Sequence, residues 1–205
     1  MERWLTIDGS VEFLYRIDYS FETGGGDPYG DTGNICSKTV SGPGHLWWNP
    51  AWTRKALVKI LHEGEKVENY QALIKLDTAS LISAGEMRGD CADIRLVNYE
   101  QDAELSFWTD PRTIDSDSTH IWVKIPALEK GENFVYIYYG NSGAVSASDG
   151  GGVFEGFDDF ADGDYSQKWS VVSGSWAESG GVLAQTSAAV PASIEFKDDV
   201  TLREG

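Results

Sequence analysis

Short apolar runs, many with every second residue apolar and each closed by Gly, Asp, Asn, Ser or Pro, recur along the whole sequence, and no stretch sustains a helical period. Successive side chains on a strand point to opposite faces, so this pattern describes strands buried on one side at least. The clearest runs cover residues 56–60, 70–76, 93–97, 105–109, 120–125 and 134–139. Polar turns such as 63–68, Lys130-Gly131 and Gly140-Asn141 separate them. Strands at this spacing are expected to make an all-β, antiparallel, jelly-roll-like β-sandwich, with Ile94, Leu96, Phe107, Trp122, Ile125 and Ile137 in its core. Only residues 78–87 have room for a short helix.

Composition divides the 205 residues into three stretches. Residues 1–44 hold two strand-like runs and a Gly/Asp/Pro-rich loop, and form a flanking β-rich segment that ends at Ser41-Gly42-Pro43-Gly44. Residues 45–155 are the sandwich. After the linker-like Ser148-Asp149-Gly150-Gly151-Gly152, residues 156–205 read as the opening of a second, truncated β domain, because about fifty residues of strand sequence cannot close a sandwich alone.

Asp and Glu outnumber Lys and Arg by 33 to 16, a net charge of −17 that repels phosphate backbones and anionic lipid. Nucleic acid is therefore excluded as a natural partner, and no apolar run reaches the ~18 residues of a membrane span. No signal peptide is visible in residues 1–25. Cys36 and Cys91 belong to no CxxC pair; an extracellular location would permit a disulfide between them, and two buried thiols are the other reading.

Catalytic templates fail on inspection. His45, His62 and His120 form no HExxH, no Ser sits in a GxSxG elbow, and the Gly-rich stretch 24–30 lacks the Lys-Ser/Thr of a phosphate loop. The chain is expected not to be an enzyme. Asp158, Asp159, Asp162 and Asp164 crowd around Gly163, a spacing that can gather hard oxygens about calcium, the candidate cofactor; a solvated acidic turn is the competing reading. For Asp110, Asp115 and Asp117 the solvated loop is preferred. Carbohydrate recognition needs flat aromatic faces, and Trp47, Trp48, Trp52 and Tyr139 are the candidate ligand-binding residues; sealing the end of the sandwich is the competing reading for Trp47-Trp48.

Six blocks carry a resemblance: Trp48-Asn49-Pro50-Ala51-Trp52-Thr53-Arg54-Lys55, Glu68-Asn69-Tyr70-Gln71, Ala92-Asp93-Ile94-Arg95-Leu96, Leu105-Ser106-Phe107-Trp108, Ile121-Trp122-Val123-Lys124-Ile125-Pro126 and Ile137-Tyr138-Tyr139-Gly140-Asn141. Together they resemble the domain-of-unknown-function family numbered 2341, with Thr109-Asp110 and His120 departing from its usual pattern. Phe157-Asp158-Asp159-Phe160 and Trp169 are similar to the opening of a laminin-G or concanavalin A-like sandwich. The resemblance implies an extracellular or cell-surface location and a non-enzymatic module of a multidomain surface protein, serving adhesion or carbohydrate recognition through a glycan or surface-protein ligand. Two alternatives stand beside it. One is a structural subunit of a filament or surface layer that self-associates through the incomplete C-terminal sandwich; the other is an accessory module of a polysaccharide-degrading enzyme.

Overall fold

The computed structural model describes residues 47–188 and 191–197 in full and residues 11–18 as backbone. In chain order the first elements are β1 (Val11–Asp18), β2 (Arg54–His62), β3 (Val67–Leu76), helix α1 (Thr78–Ser83), β4 (Arg95–Asn98) and β5 (Glu104–Leu105). Then come β6 (Phe107–Thr109), β7 (Thr119–Leu128), β8 (Gly131–Tyr139) and the short helix α2 (Gly150–Val153). The C-terminal strands are β9 (Trp169–Ser173), β10 (Trp176–Ser179), β11 (Val182–Gln185) and β12 (Ser193–Phe196).

Every strand pair described is antiparallel, and the fold is an all-β sandwich. One sheet has the order β1-β2-β8-β4-β5, and the other β3-β7-β6. The chain passes from the first to the second at Ser106, a single residue between β5 and β6, whose carbonyl accepts from Lys124 N at 2.9 Å. Residues 11–18, assigned by composition to a separate flanking segment, pair along β2 and so extend the sandwich's own sheet.

Alternation places the core. Ala56, Val58 and Ile60 of β2, Ala72, Ile74 and Leu76 of β3, Ile121, Val123 and Ile125 of β7, and Val135, Ile137 and Tyr139 of β8 are buried between the sheets. Each Val, Ile or Leu among them contributes roughly 1.5–3 kcal/mol of burial. Helix α1 closes one end: Asp77 caps it by accepting from Ser80 N at 2.9 Å, and Leu81 enters the same core. The helix covers the first six residues of the stretch expected for it, and a turn at Gly85 with φ +69° follows.

Ile94, Leu96, Phe107, Ile125 and Ile137 lie in the core as expected, but Trp122 does not. Its neighbours Ile121 and Val123 face inward, so the two-residue period turns Trp122 onto the outer side of β7, where it is half-buried. There Trp108 and Trp122 are covered by Phe154 and Phe157 from the segment after α2, with ring centroids 5.0 to 6.2 Å apart. Gly150 permits this cover, because a Cβ at that position would sit 2.2 Å from Cζ of Phe157.

Beyond Phe157 the chain forms two ribbons, β9 with β12 and β10 with β11. None of their strands contains a buried residue, as a unit without a closed core requires.

The aromatic and cationic face as candidate functional site

The outer face of the five-stranded sheet carries a second cluster. Register puts Lys55, Tyr138 and Arg95 side by side on β2, β8 and β4, and Leu57, Tyr136 and Val97 in the next row. A face with two cations and two phenols would ordinarily meet water. Here the segment Trp47 to Trp52 folds down over the first row.

Trp47 meets Tyr138 edge to face, with centroids 5.3 Å apart and an interplanar angle of 85°. Trp48 lies 5.0 Å from Trp52 and 5.5 Å from Tyr138. Polar atoms fix the stack: Trp47 Nε1 donates to Trp52 O at 2.7 Å, Trp48 N donates to the Tyr138 hydroxyl at 3.2 Å, and Trp52 Nε1 donates to Asp93 O at 2.6 Å. Three of the residues chosen from sequence, Trp47, Trp48 and Trp52, are thus brought together. The fourth, Tyr139, is not: it is 3% exposed in the core between the sheets and presents no face to a ligand.

Arg95 sits over the Trp52 ring at 4.9 Å. Its guanidinium donates to the carbonyls of Ala92, Ile94 and Val145 at 3.1, 2.6 and 2.7 Å, and Nε lies 3.6 Å from Glu104. Backbone carbonyls, rather than a ligand, occupy its forked donors. Asp93, also buried, accepts from Arg88 N at 3.2 Å and Gly140 N at 2.8 Å and so ties the turn before β4 to the end of β8. Gly140 holds φ +84°, and a side chain there would strike Thr53 Oγ1 at 2.5 Å, which explains a glycine after Tyr138-Tyr139.

Lys55 is the unusual member. It is 4% exposed, and no carboxylate pairs with it among the described residues. Its ammonium lies 4.5 Å from the Tyr136 ring centroid, 5.0 Å from Trp47 and 5.7 Å from Tyr138, and it donates to Gln101 Oε1 at 2.6 Å. Burial among these rings pushes the amine down to about 8. The same burial pushes the Tyr138 phenol up to about 12, and its hydroxyl donates to the same Gln101 oxygen at 2.5 Å. Lys55, Arg95, Asp93 and Gln101 were not among the sequence candidates.

Away from this sealed end the face opens. Tyr99, just past β4, lies parallel to Tyr136 with centroids 6.1 Å apart and an interplanar angle of 1°. It also meets Phe134 at 5.4 Å and is 43% exposed.

The four C-terminal carboxylates are engaged separately. Asp158 accepts from Trp169 Nε1 at 2.9 Å and lies 3.6 Å from Lys168. Asp159 accepts from Ala161 N, Asp162 from Asp164 N, and Asp164 from Ser166 N. Among the described residues no group of three potential metal-ligating side chains converges. In the loop before β7, Asp110 is buried and holds Arg112 with both oxygens at 2.9 Å, and the guanidinium's hydrogen bonds keep its carboxyl pKa below the usual carboxylate range. Cys91 is a free, buried thiol 3.8 Å from Met87 Sδ, and burial pushes it up to about 11. The Cys36 of the expected pair lies outside the described residues.

Taken together, the chain carries an antiparallel β-sandwich whose outer sheet face is built from aromatic rings around two sealed cations. Residues 90–172, from the turn before β4 into β9, match the family model described as Domain of unknown function (DUF2341). No curated protein and no solved structure matches the chain.

Proposed function

We propose that the sandwich is a non-enzymatic recognition module of an extracellular, multidomain surface protein, and that it engages neutral glycans through the open half of the aromatic face. The observation that carries this reading is the Tyr99 ring, 43% exposed and held parallel to Tyr136 beside Phe134. A rigid, half-exposed ring backed by further rings is a platform on which an apolar sugar face stacks at little cost in side-chain entropy. The cations and phenols that could otherwise do chemistry on this face are committed to carbonyls, rings and Gln101. A net charge of −17 disfavours acidic polysaccharides and leaves neutral ones as the natural class.

Affinity electrophoresis of the full chain through gels containing individual neutral polysaccharides tests the reading. Retardation by at least one is expected, with Tyr99→Ala weakening it by roughly tenfold, the scale of one lost stacking contact of about 1.4 kcal/mol. The thermal midpoint should fall only slightly, because the ring is 43% exposed and lies outside both buried clusters. Unretarded migration through every gel, or retardation indifferent to Tyr99→Ala, would overturn the proposal.

A further inference from the structure

We propose that Lys55 and Gln101 are the site of an intramolecular amide cross-link, formed by the protein itself, that staples β2 to the turn between β4 and β5 across the intervening strand β8. The argument rests on the environment of two side chains that the recognition surface does not use.

Lys55 Nζ lies 2.6 Å from Gln101 Oε1. A carbonyl bond is about 1.23 Å long, so the amine nitrogen can be no farther than about 3.8 Å from the carboxamide carbon Cδ. That is close to the separation of a near-attack pair. Neither partner can wander. Lys55 is walled in by Trp47, Tyr136 and Tyr138. Gln101 sits in a left-handed conformation, φ +61°, in a turn clamped by its own N–H on Asn98 O at 3.0 Å and by Asn98 Oδ1, which accepts from Asp102 N and Ala103 N at 3.1 Å. A non-glycine residue held in that region is uncommon and requires surroundings that enforce it.

The chemistry is an aminolysis. The neutral amine of Lys55 attacks Cδ of Gln101 and forms the Nζ–Cδ bond. The Tyr138 hydroxyl, donating to Oε1 at 2.5 Å, is placed to stabilise the negative charge that develops on that oxygen. One proton passes from Nζ to Nε2, the Cδ–Nε2 bond breaks, and ammonia leaves. No oxidant or cofactor enters, and the only product besides the amide is one ammonia per chain. Burial supports the attacking form, because the amine is held down to about 8 instead of the usual 10.5. The rate should therefore rise with pH up to about 8 and level off above it. Among the described residues the titratable groups facing Lys55 are Tyr136 and Tyr138 on β8, both pushed upward by burial, with Arg95 beyond them on β4. None of the three changes charge in that window.

Incubation of the folded full chain over days at pH 8, with samples read by intact-mass spectrometry under denaturing conditions, tests the proposal. The expected mass is lower than that of the sequence by one ammonia, with a branched proteolytic peptide joining Lys55 to Gln101. Lys55→Arg and Gln101→Ala should each keep the full mass, and Tyr138→Phe should retain the capacity to react but slow it at least tenfold. Two results would sink it: full mass with Lys55 open to acylation after unfolding, or an ammonia loss that maps to any other residue. The wild-type measurement alone decides, so a variant that fails to fold does not blunt the test.

Discussion

At the scale of single residues, Asp93 shows how this fold uses buried charge. Its carboxylate accepts from two backbone N–H groups, on Arg88 and Gly140, while its carbonyl takes the Trp52 indole. Asp93→Ala leaves two partly buried donors without acceptors and should destabilise the sandwich by about 2 kcal/mol, read from the midpoint of urea unfolding. Asp93→Asn keeps one acceptor oxygen and should lose less than half as much. A loss below 1 kcal/mol for Ala would show that water reaches the site. The residues also show what a sequence makes legible. The aromatic count identifies Trp47, Trp48 and Trp52 as site material, but adjacent tyrosines fall on opposite faces of one strand. Choosing between Tyr138 and Tyr139 requires knowing that both faces are covered, and Tyr138, not Tyr139, takes the outer one. Lys55 and Gln101 are less visible still. A lysine on the outward row of a strand reads as solvated, and its partner lies 46 residues away.

At the scale of elements, partial alternation marks the runs that become β2, β3, β7 and β8, and Ile125 and Ile137 are placed inward from sequence, because the period of two is a consequence of backbone geometry. Apolar character misplaces Trp122, since an indole amid a run of apolar residues looks like core whichever way it points, although the same period turns it outward. What covers that ring is the segment from α2 to Phe157, of which 148–152 read as a linker and Phe157 as the opening of a second domain. Its attachment depends on one glycine and one ring. Gly150→Ala should displace Phe157, and Phe157→Ala should empty the same contact with Trp108. Each is expected to speed proteolytic cleavage between residues 150 and 160 several-fold while leaving the sandwich folded, and the double variant should be no more susceptible than either alone. Additive effects would mean that the glycine and the ring act through different contacts.

At the scale of the whole molecule, stability is distributed unevenly. Between the two sheets lie fully buried positions such as Val58, Ile74, Ile94, Ile121 and Ile137, whereas β9 to β12 bury no residue at all. Amides of β9 to β12 should therefore exchange with deuterium well before those of β2, β7 and β8. Equal protection in the two regions would show that the C-terminal ribbons share the sandwich's cooperative unit. This division is only partly readable from sequence: the shift to small residues marks the change of unit, yet nothing in the composition of residues 1–44 announces that 11–18 join the sheet.

The covering of Trp108 and Trp122 by Phe154 and Phe157 has a mechanical side. Strand β8 is gripped by β2 and β4, and the chain that leaves it returns across the opposite sheet before continuing to β9. Tension applied from the C-terminal side first peels these two rings off the tryptophans, releasing slack, and only then loads β8 along its axis against two neighbours at once. The ring contact is expected to yield first and the sheet behind it to resist by shear: a shock absorber in series with an anchor.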